Sequence, residues 1–174
     1  MSHIETVTSE LRILMTGVDR AQGLAAVADN QAQQVALRAA GAGFAAVAAG
    51  MTRVRDAIAS AQGGLGGLAR STGEATKMTA AVPREATPQE TIAALMPVQV
   101  GVDSARDAAA AVIAQVGEAQ QLVAMVLQGG QPGPLLQSLE SIKQVLVSVV
   151  QHAGSARQTV EAAVAEARQL GSGN

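Results

Sequence analysis

The spacing of apolar residues constrains this chain more than any other feature. From Ile4 onward, steps of three and four residues keep reaching apolar side chains, and three later stretches repeat the pattern. A repeat that averages about 3.5 residues keeps one seam of a helix facing a neighbouring helix, as in left-handed coiled coils. The four stripes comprise Ile4, Val7, Leu11, Leu14, Val18, Ala21, Ala25, Ala28, Ala32, Val35 and Ala39; Phe44, Val47, Met51, Val54, Ile58, Ala61, Leu65 and Leu68; Leu95, Val98, Val102, Ala105, Ala109, Val112, Val116, Ala119, Val123 and Val126; and Leu139, Ile142, Leu146, Val149, Ala153, Ala156, Val160, Ala163, Ala167 and Leu170. The spacing predicts four long helices.

Local signals mark where these helices begin. Ser2 with Glu5, and Thr87 with Glu90, have the spacing of a capping box, in which each side chain bonds the other residue's backbone N–H. Pro88 then falls at the first helical position, where its missing N–H costs nothing. Pro97 lies inside the third stripe and is expected to kink that helix near its start.

Glycine and proline mark the connections. The run Gly41-Ala42-Gly43 interrupts the register between the first two stripes, and residues 128–134 form a Gly/Pro-rich turn between the last two. This second turn is expected to have slack, so that Gly129→Ala would be mild. The glycines between residues 63 and 73 indicate a fraying helix end followed by a linker.

These signals predict an all-α protein of two long antiparallel helical hairpins, which form a four-helix, coiled-coil-like bundle. The first hairpin is expected over 1–75 with its turn near 40–43, the linker over 76–87, and the second hairpin over 88–174. Whether the two hairpins pack on each other or on another chain is left open by the pattern.

Composition excludes several classes of function. Hydrophobic residues make up 48% of the chain but aromatic residues only 1%, so the core is thin and favours long elements or a partner that shares the burial. A net charge of −2 argues against nucleic-acid binding, which needs a concentrated basic face. The chain has no cysteine, and its start has no basic segment followed by a long apolar run. We expect a cytoplasmic protein without a transmembrane segment, with export by a signal-peptide-independent route left open.

The sequence contains no pattern that predicts an enzyme, a cofactor site or a metal site. Two loose Gly-x-Gly-x-x-Ala matches, at residues 41–46 and 64–69, have no preceding strand and are interpreted as a turn and a helix end. Asp103 and Asp107 share a helix face that we expect to be solvated. His3 and His152 have no evident acidic or nucleophilic companion in the sequence.

Phe44, the one aromatic residue, directly follows the Gly41–Gly43 turn. Its side chain could close the end of the bundle as a plug, which we favour, or anchor a partner at the hairpin tip. Other contacts to a partner are expected through the helical seams. The predicted interaction residues are Phe44, Val47, Met51, Val116, Val123, Leu139, Leu146 and Val149.

The hairpin with Ala40-Gly41-Ala42-Gly43-Phe44 at its turn, in an alanine-rich chain, resembles the WXG100/ESX-like proteins of actinobacterial type VII secretion. That family carries Trp-x-Gly at this turn and a Tyr-x-x-x-Asp/Glu export signal; the present chain has neither Trp nor Tyr. The resemblance implies a carrier, adaptor or chaperone-like role through helical pairing, without catalysis.

Three functions therefore compete. The leading hypothesis is an interaction protein that pairs with itself or with a secreted or toxin-associated protein as a homo- or hetero-oligomer. The second is a phasin-like or lipid-associated protein that coats a hydrophobic surface. The third is a self-assembling structural subunit.

Overall fold

The computed structural model describes residues 2–130 and 133–173, and these fold into four long α-helices. No strand occurs in that part of the chain, so the predicted all-α class is confirmed. The helices are α1 (His3–Gly41), α2 (Ala45–Ala80), α3 (Pro88–Val126) and α4 (Gly133–Ser172).

Both predicted capping boxes are present. At α1, the Ser2 N–H donates to Glu5 Oε2 at 2.9 Å and the Glu5 N–H donates to Ser2 Oγ at 3.2 Å. At α3, the Thr87 N–H donates to Glu90 Oε2 at 2.8 Å, and Pro88 occupies the first turn. Each box satisfies backbone donors that the first turn of a helix leaves without intrahelical partners. These ends are therefore specified by local sequence.

The turns require glycine at two defined positions. Gly43 has a φ of 83° and Gly129 a φ of 84°, in the left-handed region that costs other residues about 1 kcal/mol or more. An alanine at Gly129 is therefore strained, and we expect Gly129→Ala to lose more stability than a slack turn would allow. Gln131 and Pro132 of the predicted turn lie outside the described residues.

The glycine-rich segment of α2 differs from the sequence prediction. The helix continues through residues 63–73 and ends at Ala80, so only residues 81–87 connect α2 to α3 instead of the predicted linker over 76–87. The seam continues beyond the glycines, with Thr72, Ala75 and Thr79 buried. Tertiary packing on both sides of the glycines thus outweighs their poor helix propensity.

Each helix packs closely against two others, in the order α1–α2, α2–α3, α3–α4 and α4–α1. Among the described residues, no Cα atoms of the diagonal pairs α1–α3 and α2–α4 lie within 8 Å of each other. Short connections make sequence neighbours antiparallel, and α4 also runs antiparallel to α1. The two hairpins therefore pack on each other and close a four-helix bundle within one chain.

The core is filled by seam residues of complementary size. The seam of α1 changes from large residues such as Leu11 and Leu14 to alanines after Val18. The seam of α2 stays mostly large as far as Leu68 and then changes to Thr72, Ala75 and Thr79, and the two helices run in opposite directions. Bulky side chains on one helix thus lie opposite small ones on its neighbour. This arrangement gives an alanine-rich chain one continuous core.

Glycines allow the closest approaches between helices. A Cβ atom at Gly64 of α2 would lie 2.6 Å from Val112 Cγ2 on α3, and one at Gly50 would lie 2.5 Å from Val126 Cγ2. Real Cβ contacts are not this short, so the close spacing of α2 and α3 requires residues without a Cβ atom at these two positions.

Candidate interaction surfaces

Most of the predicted interaction residues lie inside the bundle. Six are buried against other helices of the same chain and present no surface to a partner in this folded state. These six are Met51, Val116, Val123, Leu139, Leu146 and Val149. The seams pair within the chain, so the surfaces left for another molecule in this folded state are the outer helix faces and the ends of the bundle.

The remaining two predicted residues, Phe44 and Val47, lie at the end of the bundle that carries both hairpin turns. Val47 is half-buried and packs against the core. Phe44 is 64% exposed, so the prediction that it plugs the bundle end is wrong. Its φ and ψ of −85° and 70° place it at the N-cap of α2, where it precedes the seam and its ring projects beyond the core. Leu37 and Met125 are also exposed near this end.

The outer face of α3 carries exposed apolar side chains. Met96 is 60% exposed and Val100, one turn further on, is 65% exposed. By length and composition α3 is the one helix of the described residues that could cross a membrane, and only 28% of its most apolar stretch is buried in the bundle. The absence of a transmembrane segment, expected from the sequence, stays a prediction. Apolar side chains therefore continue from the buried seam of α3 to its solvent face.

Two histidine–glutamate pairs join α1 to α4. His152 Nδ1 lies 2.7 Å from Glu10 Oε2, and His3 Nε2 lies 2.9 Å from Glu166 Oε2. Both histidines therefore have acidic companions, contrary to the sequence prediction. The companions are separated from them by more than a hundred residues in sequence, so only the closed bundle brings them together. Each pair ties one helix to its neighbour.

Arginines make similar cross-helix ties. The Arg55 guanidinium donates to both oxygens of Asp29, at 3.0 and 3.3 Å, and joins α2 to α1. Arg157 of α4 donates to Glu161 at 3.0 Å and lies 3.2 Å from Asp103 of α3. Its hydrogen bond to Glu161, followed by the charge of Asp103, raises the pKa of Arg157. Asp103 is therefore half-buried and paired, whereas its predicted companion Asp107 is exposed as expected.

A groove of about 530 Å³ runs along the outside of the α1–α4 interface. Arg12 and Arg20 line it from α1, and Ser141 and Ser148 line it from α4. Sequence reasoning missed this groove because its two walls come from opposite ends of the chain. Gly17 could have pointed to it, since a glycine beside a seam residue marks a close approach between helices.

Within residues 2–130 and 133–173, no three histidine or acidic side chains converge as a metal ion would need. Each histidine there meets a single carboxylate. The histidine–glutamate pairs and the arginine ion pairs therefore act as non-covalent contacts that hold neighbouring helices together.

The fold and its surfaces define a closed, antiparallel four-helix-bundle protein with partly apolar outer faces. Residues 86–172, half of the chain, match a family of unknown function, DUF6244, and the chain belongs to that family. The matched region begins just before the Thr87 cap and spans α3 and α4 to Ser172. No curated protein and no solved structure matches the chain.

Proposed function

We propose that this chain is a non-catalytic interaction protein that docks a protein partner on the outer face of its bundle. The exposed apolar face of α3, with Met96 and Val100 one turn apart, is the observation that carries the proposal. Contiguous exposed apolar patches on a protein surface often mark interaction sites. Because α3 belongs to the half of the chain that matches the family, this face is the natural first surface to test.

The resemblance to WXG100/ESX-like proteins extends this proposal to an adaptor or carrier role in type VII secretion or beside a polymorphic toxin. The support for that extension is the helical-hairpin architecture and the Gly-containing turn before Phe44. The closed bundle changes the expected mode of pairing, since its seams are already filled. The partner would bind a complete bundle and would not complete an open one.

The test compares a charged double variant of the α3 face with a matched control. Met96→Glu/Val100→Glu should remove the bound partner when the tagged protein is purified from its native host and the co-purifying proteins are quantified by mass spectrometry. Val147→Glu, on the exposed face of α4, should retain them. Circular dichroism checks that both variants are folded. If the double variant keeps the same partners as the unchanged protein, the α3 face is not the docking surface.

A second candidate, a lipid-associated coat protein, is favoured by the same apolar character of α3. The two candidates differ in what the face contacts. Co-sedimentation of the protein with phosphatidylcholine vesicles, lost in Met96→Glu/Val100→Glu, would favour the coat. Asp107, which is exposed on α3, argues against anionic lipid surfaces, because its carboxylate and the lipid headgroups would repel each other.

A further inference from the structure

The groove between α1 and α4 has a floor set by a close approach of the two helices. A Cβ atom at Gly17 would lie 2.7 Å from Val149 Cγ2, so the glycine lets α1 and α4 approach closely at the floor of the groove. Its cavity volume is about 530 Å³ and it opens to solvent along the helices. A depression between two antiparallel helices is the shape into which a further helix packs.

The charged groups of the groove are free to bind an external anion. Arg12 and Arg20 are exposed, and neither has an ion pair or a hydrogen bond to any other described side chain. The adjoining Ser148 hydroxyl likewise has no partner among the described residues. His152, at one end of the groove, is instead paired with Glu10, with 2.7 Å between Nδ1 and Oε2. Two cations without counter-charges thus line the same wall.

Apolar side chains accompany the two arginines. Ile13 is 44% exposed, and Val145 on the facing helix is half-buried. Both line the groove. A ligand that fits must therefore combine negative charge with apolar surface, a combination that an amphipathic helix provides along a single face.

From this geometry we infer that the α1–α4 groove docks an acidic amphipathic helix of a partner protein. Arg12 and Arg20 are eight residues apart, which is about 12 Å along α1. Two carboxylates seven or eight residues apart on a docked helix have nearly the same separation, so each can meet one guanidinium. Apolar residues between them on the same face would cover Ile13 and Val145.

The net charge of the chain, −2, opposes a nucleic acid as the occupant, and the concave shape opposes a flat lipid surface. The inference goes beyond the proposed function, because the groove lies on a different side of the bundle from the exposed face of α3. If the experiment contradicts the proposal for one surface, the proposal for the other surface is unaffected.

The probe is a fluorescently labelled model helix of about 20 residues, with two Glu seven positions apart and Leu between them on the same face. A matched peptide carries Gln in place of both Glu. Fluorescence anisotropy should show that the full-length protein binds the Glu peptide at least about tenfold more tightly than the Gln peptide.

Arg12→Glu/Arg20→Glu should weaken binding of the Glu peptide by at least about tenfold. The control, Arg53→Glu/Arg70→Glu, makes the same change of net charge with exposed arginines of α2 and should bind like the unchanged protein. Ser148→Trp should also weaken binding, because it fills the groove without changing the charge. Met96→Glu/Val100→Glu should bind normally, which separates this site from the α3 face.

Three results would overturn the inference. The first is no saturable binding of the Glu peptide by the unchanged protein. The second is equal binding of the Glu and Gln peptides. The third is an equal loss of binding in the groove variant and the α2 control, which would show that only the overall charge matters.

Discussion

In the middle of α2, the contributions of tertiary packing and of helix propensity to the stability of this bundle can be measured separately. Four glycines lie within five residues there, at positions 63, 64, 66 and 67. Added Cβ atoms at Gly63, Gly66 and Gly67 would meet nothing within 4 Å, whereas one at Gly64 would lie 2.6 Å from Val112 Cγ2 and 3.0 Å from Gln115 Oε1. Alanine substitutions at Gly63, Gly66 and Gly67 therefore change helix propensity alone, whereas an alanine at Gly64 also disturbs the contact between α2 and α3.

The triple variant Gly63→Ala/Gly66→Ala/Gly67→Ala should be more stable than the unchanged protein. Alanine is favoured over glycine in a helix interior by about 1 kcal/mol, so the three changes should raise the free energy of unfolding by roughly 3 kcal/mol. For a chain of this size, that corresponds to an increase in Tm of roughly 6–12 °C. Urea denaturation and thermal melts followed by circular dichroism measure both quantities.

Gly64→Ala is the matched control and should lower the stability. The gain of about 1 kcal/mol in propensity is opposed by overpacking against Val112, which is buried and β-branched, and overpacking costs about 1–3 kcal/mol. A triple variant that is no more stable than the unchanged protein would refute the helical assignment of residues 63–67. A Gly64→Ala variant that is as stabilising as the others would refute the close α2–α3 contact.

Two further predictions concern the core and the caps. Leu146→Asp should unfold the protein, at a cost of more than about 4 kcal/mol, because the side chain is fully buried. Val147→Asp, one position along and 44% exposed, should change the free energy of unfolding by less than about 1 kcal/mol in urea denaturation. Equal effects of the two substitutions would contradict the seam assignment. Hydrogen bonds from Thr87 lower the pKa of Glu90, so its contribution is present above its unfolded pKa of about 4.3 and is lost as the pH falls through the lower, folded value. Glu90→Gln should therefore be less stable than the unchanged protein near neutral pH and equal to it in acid, as measured by denaturation at a series of pH values; a difference that is independent of pH would rule out the charge as its cause.

The helices, their seams and their N-terminal caps were predictable because they depend on residues within a turn or two of one another. Leu11, Leu14 and Val18 repeat at the coiled-coil period, and each proves to be buried. Thr87, Pro88 and Glu90 specify the start of α3 within four residues. Leu170, at the last step of the fourth stripe, is 68% exposed, because the stripe continues past the end of the packed core.

The candidate surfaces could be predicted only in part, because a seam pattern does not reveal which helix fills it. Met51 and Leu146 lie on seams as the spacing predicts, and they are buried against other helices of the same chain. The Glu10–His152 pair and the α1–α4 groove join residues from opposite ends of the chain. Sequence spacing carries no signal for such contacts.

The sequence by itself determined where apolar side chains recur and where helices start, since both are decided by backbone geometry over a few residues. Tertiary structure alone decided that the Gly63–Gly67 segment stays helical, that four seams close on one another, and that Phe44 and the outer face of α3 remain exposed. The physical reason is that these outcomes depend on the sum of many weak contacts between whole helices. That sum depends on which helices pack against each other, and the packing is fixed only in the folded bundle.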